Sequence, residues 1–151
     1  MHRIVITDTS CLIILHKIGN LELLRLLYNT IVTTPEVKEE WGRELPDWIT
    51  IEKAKNNRYQ KIIETQVDKG EASVIALALE KEDTLMLLDD LKARKLAKRI
   101  HLKFTGTLGI IHKAKQAGLI FKVRPLIEKL RETDFRISEN VIGEILKLSG
   151  E

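Results

Sequence analysis

The chain has 151 residues, 44% hydrophobic and 31% charged, with 25 basic against 22 acidic residues and a net charge of +3. That is enough apolar chain for a core, which excludes a disordered polymer, and residues 1–151 read as a single domain. The one cysteine, Cys11, excludes an internal disulfide; no apolar run approaches the roughly 20 residues of a bilayer span and no signal-peptide pattern opens the chain, so a soluble, cytoplasmic protein without a membrane partner is expected.

In chain order, residues 3–7 (RIVIT) are rich in Ile and Val and predict a strand that ends on Asp8. Ser10 is the expected N-cap of a helix over SCLIILHKI, and Gly19 its stop. NLELLRLLYN predicts a second helix; its Leu-rich stretch at 21–27 reads first as core, and alternatively as the apolar face of a homodimer. TIVTT predicts a short strand, with Thr34 capping a helix that starts at Pro35 and ends near Gly42. LPDWITIEKA holds a turn and a short strand. NRYQKIIETQVDK reads as helical and Gly70 as its breaker, followed by a strong helix over EASVIALALEKE. TLMLL is a buried strand closing on Asp89-Asp90, LKARKLAKRIH a basic helix, LKFTG a strand, and TLGIIHKAKQAG a helix. Two more helices follow, after Pro125 and after an N-cap at Ser138. Strands separated by helices predict an α/β three-layer sandwich around a small parallel sheet of four or five strands.

Ligands of open parallel sheets bind beyond the carboxyl ends of the strands. Asp8 and the pair Asp89-Asp90 follow two predicted strands; Glu36, Glu39 and Glu40 lie in the helix after a third; Glu71 opens the helix after Gly70. Asp and Glu also favour helix N-termini for capping and dipole reasons, so each acid alone has a structural reading. Together, however, they form an all-oxygen constellation that suits a hard cation, Mg²⁺ or Mn²⁺, and such a cation can drive phosphodiester hydrolysis.

Five blocks carry a resemblance: VITDTSCLIIL, TTPEVKEEW, DKGEASVIALALE, LMLLDDLKARKLAKR and FTGTLGIIHKAKQAGLI. In order, and over nearly the whole chain, they resemble the PIN-domain ribonucleases, the fold of VapC-type toxins, and especially the uncharacterised prokaryotic PIN-like subgroup predicted to bind nucleic acid. The resemblance implies a PIN-like fold and a Mg²⁺- or Mn²⁺-dependent endoribonuclease. It implies catalytic roles for Asp8, Glu40, Glu71 and Asp90, with Asp8, Glu71, Asp89 and Asp90 as metal ligands. Glu39 is the alternative to Glu40 by one step of register, and Asp89 and Asp90 are alternatives for one ligand position. Ser10, two residues after the first acid, is the implied supporting hydroxyl, with Thr107 downstream. Many PIN enzymes carry a further acid or alcohol in that downstream segment; here Thr105 and Thr107 supply hydroxyls and no acid, which weakens a second metal site.

RNA is the implied substrate, with Lys92, Arg94, Lys95, Lys98 and Arg99 of the basic helix as candidate phosphate contacts, although the same stripe reads equally as a solvated surface. A toxin role further implies an antitoxin partner. Two competing classes remain at this point. One is a phosphatase of the haloacid-dehalogenase type with Asp8 as nucleophile, although DTS lacks the second Asp such enzymes usually show. The other is a non-catalytic PIN-like nucleic-acid-binding or interaction module.

Overall fold

The computed structural model describes residues 4–151, so Arg3, the expected first residue of the opening strand, lies outside the described residues. Five parallel strands run in the order β3-β2-β1-β4-β5: β1 is Ile4–Thr7, β2 Ile31–Thr33, β3 Ile49–Ile51, β4 Thr84–Leu87 and β5 Phe104–Thr105. β1 is the central strand and pairs with β4 over its whole length, Ile4 opposite Thr84 through Thr7 opposite Leu87. Every residue of β2 and β4 is buried, as are Val5, Ile6 and Thr7 of β1, so both faces of the sheet are covered. This is why the strands read as continuous apolar runs instead of alternating ones.

The helices around the sheet are α1 (Thr9–Lys17), α2 (Glu22–Leu27), α3 (Pro35–Trp41), α4 (Asn57–Ile63), α5 (Lys69–Leu79), α6 (Leu91–Arg99), α7 (Thr107–Gln116), α8 (Arg124–Arg131) and α9 (Glu139–Leu148). α5 is buried along nearly its whole length and packs against β1, β4, α3, α4 and α6, which explains its alanine-rich, almost uniformly apolar sequence. The expected caps at Thr34 and Ser138 form, each side chain accepting from the amide three residues on, and Gly42 ends α3 in the left-handed conformation at φ 72°. Gly19, at φ 73°, closes the turn after α1.

Three expectations are corrected. Ser10 is not the N-cap of α1: Asp8 is, its Oδ1 accepting from the Cys11 amide at 2.9 Å. An Asp in extended conformation directly before a helix satisfies a free amide better than a residue already inside the first turn. The helix after Asn56 stops at Ile63, six residues short of the predicted run, where the Thr65 hydroxyl bonds the Ile62 carbonyl in the closing turn. Gly70 breaks nothing. It lies in the first turn of α5, which Asp68 caps in a reciprocal capping box with Glu71. The Leu-rich stretch is chiefly core: Leu23, Leu24 and Leu27 are buried, and Leu26 points out.

Candidate active site

The strand order reverses between β1 and β4. β2 and β3 extend to one side of β1, while β4 and β5 extend to the other. Beyond the carboxyl ends of such a pair the flanking helices diverge and leave a crevice. Asp8 leaves β1 at this point and its amide donates to the Leu87 carbonyl at the end of β4, at 3.2 Å. Asp89 and Asp90 follow directly on Leu88, one residue past the end of β4. The two chain segments with an acid at the strand end are therefore hydrogen-bonded to each other.

Asp8 is 1% exposed. Its Oδ1 is used by the helix cap, and its Oδ2 is buried with no hydrogen-bond partner. Burial raises its pKa well above the usual carboxylate range. Asp89 and Glu71 push it further, against the helping amides of Cys11 and, at longer range, Asp89. A carboxylate oxygen held without a donor, among other carboxylates, is destabilising in isolation. It costs little only if a cation faces it or a proton occupies it.

Asp89 is fixed by Thr107 at the start of α7. The Thr107 amide donates to Oδ1 at 2.8 Å and its hydroxyl to Oδ2 at 2.6 Å. Thr107 is fully buried, so the pair forms a rigid strut between the end of β4 and α7. Asp90 is exposed and caps α6, its Oδ2 accepting from the Ala93 amide at 3.0 Å. Glu71, in the first turn of α5, is pushed up to about 7 by burial and then by the charges of Asp68, Asp90 and Glu40. Glu40, from the last turn of α3, is raised by burial and by Asp68, while the nearby Thr9 hydroxyl favours its charged form. The charges of Asp89 on Asp8 and of Asp90 and Glu40 on Glu71, with that of Glu71 on Asp8, place these five acids in one electrostatic cluster.

Of the alternatives left by the sequence, Glu40 turns toward the cluster. Its carboxylate lies over Gly70, where a Cβ would stand 3.0 Å from the Glu40 Cδ and closer still to Oε1. Gly70 is therefore required for the approach of α3 to the N-terminus of α5, not for a helix break. Glu39 and Glu40 both line a cleft of about 350 Å³ with Glu36, Asp68, Lys69 and Gly70, and what separates them is the seat of the Glu40 carboxylate over Gly70. Asp89 and Asp90 both belong to the cluster, one felt by Asp8 and the other by Glu71.

Two expected residues are placed differently. The Ser10 side chain is exposed and makes no hydrogen bond among the described residues, whereas the preceding Thr9 is buried, its hydroxyl on the side of the Glu40 carboxylate. Because Asp8 rather than Ser10 starts α1, the inward-facing hydroxyl is Thr9. Arg94 is drawn off the basic stripe. Its Nε donates to the Leu88 carbonyl at 2.6 Å and its guanidinium stacks over Phe104 at 5.3 Å, leaving it beside Asp89 at Gly106. There it places positive charge beside the acids. Lys92, Lys95, Lys98 and Arg99 remain exposed on α6, the last two also complementing the helix C-terminus.

Asp68 was not singled out from the sequence, although DKGE before an apolar run is a capping-box pattern. Ser73 is a second omission: its hydroxyl meets Thr34 Oγ1 at 2.6 Å and bonds the Gly70 carbonyl at 2.6 Å, tying the starts of α3 and α5 together.

A family model described as a PIN domain matches residues 4–151. The chain belongs to the PIN-domain family. PIN domains are generally nucleases and typically use divalent metal ions, so this is a nuclease-type fold. No curated protein matches the sequence significantly. No helix among the described residues is long and apolar enough to cross a membrane.

The donor set of this PIN domain fits a hard divalent ion by its chemistry: all oxygen, several carboxylates, and one buried carboxylate oxygen without a partner. Among the described residues no three Asp, Glu, His or Cys side chains already converge closely enough to hold an ion.

Proposed function

We propose that this PIN domain is a Mg²⁺- or Mn²⁺-dependent endoribonuclease. The observation that carries the reading is Asp8: buried, with Oδ2 unpartnered, and flanked by Asp89 and Glu71 at the carboxyl ends of β1 and β4. Asp8, Glu71, Asp89 and Asp90 would hold the metal, and Glu40 would complete the shell. A bound divalent ion supplies an activated water and neutralises charge developing on the phosphate.

The chain's own residues do the rest. The Cys11 amide and Thr107 hold Asp8 and Asp89 at fixed angles, so two ligands are preorganised. Arg94 offsets the negative charge beside Asp89. Lys92, Lys95, Lys98 and Arg99 would grip phosphates without reading sequence. A role as the toxin of a toxin–antitoxin pair, with a cognate antitoxin, belongs to the same reading, as do cytoplasmic location and homodimerisation.

The test is cleavage of single-stranded RNA with Mn²⁺, comparing wild type, wild type with a chelator, and Asp8→Asn. Cleavage by the first alone supports the reading; equal cleavage by all three refutes it. The non-convergence of three ligands favours, as a second reading, a PIN-like module that binds nucleic acid without cutting it. Binding without cleavage over a panel of divalent metals would select that reading.

A further inference from the structure

Beside the carboxylate cluster lies a second cleft, of about 640 Å³, between α6, β5, the start of α7 and the segment leading into α9. Asp89 belongs to both: its carboxylate is part of the cluster, and it lines one wall of the cleft. The other walls combine Phe104, stacked under the Arg94 guanidinium, with Phe135, Arg136 and Ile137. Leu91, 64% exposed, and Val141, 41% exposed, complete an apolar rim that none of the described residues covers.

The Phe135 wall is fixed in place. The Thr133 hydroxyl accepts from the Phe135 amide at 3.1 Å and donates to the Leu130 carbonyl at 2.6 Å, and Ser138 caps α9 at the other end. The cleft is therefore preformed, within the size range of sites for small organic groups. Its chemistry is specific: aromatic faces, two arginines and a carboxylate. Aromatic rings and guanidinium planes stack on bases, arginine also meets phosphate, and a carboxylate accepts from exocyclic amines.

We propose that this cleft receives one unpaired nucleotide of the RNA next to the phosphate that is cut, its base resting against Phe135 and its phosphate reaching Arg136. The inference rests on the nuclease reading and adds a substrate feature to it: a single-stranded site with an extruded base. A base locked in a duplex stack cannot enter, which selects against double-stranded RNA.

The experiment measures binding, by fluorescence anisotropy, of the Asp8→Asn protein to a short single-stranded RNA, the same strand with one abasic position placed in turn along it, and its duplex. The parent strand is expected to bind about ten-fold more tightly than the duplex or than the worst abasic strand. Phe135→Leu, which keeps the apolar volume, and Arg136→Ala, at an exposed position, should erase most of that difference. Thermal melting reports whether either variant folds.

If folded Phe135→Leu keeps full discrimination, or if abasic and parent strands bind alike while wild type still cleaves RNA, the cleft proposal is overturned and the nuclease reading stands. If no strand binds and none is cleaved with Mn²⁺, both fail. If the variants leave RNA binding unchanged but alter the oligomeric state in light scattering, the cleft is a protein-docking face and the proposal is likewise overturned.

Discussion

The buried acids make stability depend on pH in a direction opposite to that of an ordinary salt-bridged carboxylate. Glu71 titrates at about 7 in the folded protein, against about 4.3 in an unfolded chain. Between these values the folded state binds more protons than the unfolded state, so stability falls as pH rises. The contribution is complete below the unfolded value and lost as pH passes through the folded one. A shift of this size corresponds at most to about 3–4 kcal/mol. Glu71 sits at the rim of the crevice, and solvent screening reduces this to ~1–2 kcal/mol. Asp8 and Glu40, raised in the same direction, add to the same slope. Metal-free protein should therefore melt at a lower temperature at pH 8 than at pH 5. For a domain of this size, 1 kcal/mol is worth about 2–4 °C. Mn²⁺ should remove most of the loss at pH 8 and do little at pH 5, because a cation competes with protons for the same oxygens. The assay is differential scanning fluorimetry across pH 5–8, with chelator or with Mn²⁺, on wild type and Glu71→Gln. Glu71→Gln should flatten the chelated profile. A melting temperature that is flat or rises from pH 5 to 8 in chelator would refute the electrostatic account of the cluster.

Four further outcomes follow from individual contacts. Asp8→Asn should abolish Mn²⁺-dependent cleavage yet melt no lower than wild type in chelator at pH 8, since it preserves an oxygen for the Cys11 amide and removes a buried charge; a large destabilisation would show that Asp8 is chiefly structural. Thr107→Val takes a donor from Asp89 and should cost about 1–2 kcal/mol by chemical denaturation while weakening Mn²⁺ binding, measured by calorimetry. Gly70→Ala gains helix propensity of up to about 1 kcal/mol but displaces the Glu40 carboxylate, so activity should fall while stability holds or rises. Replacing Lys92 and Lys95 by Gln should weaken RNA binding uniformly across sequences and reduce its salt dependence, whereas Arg94→Gln should also lower the melting temperature, because Arg94 bonds the Leu88 carbonyl.

Much of this arrangement is written locally in the sequence, and the part that is not has a physical reason. The strands and the acids at their ends are legible because a strand buried on both faces must be a continuous β-branched and aliphatic run, and the first polar residue after it marks where the chain leaves the sheet. Asp8 and Asp89-Asp90 were found that way, and the parallel sheet follows from helices between strands. What was misread turns on angle and on tertiary approach. A helix advances about 100° per residue, so starting α1 at Asp8 instead of Ser10 exchanges which hydroxyl faces inward, and Thr9 takes the place expected of Ser10. Gly70 reads as a breaker because glycine is poor in helices, but its small size is what admits the Glu40 carboxylate, and that requirement comes from α3, thirty residues away. Arg94 belongs by spacing to the basic stripe, yet the Leu88 carbonyl just past β4 and the Phe104 ring of β5 pull it to the acids. The departures at Gly70 and Arg94 each concern a residue whose partner lies on another strand or helix, whereas the one at Ser10 is local to the start of α1. At both positions the partner belongs to the acid cluster or borders it: Glu40 over Gly70, and Asp89 beside Arg94, where the concentration of negative charge favours a nearby cation.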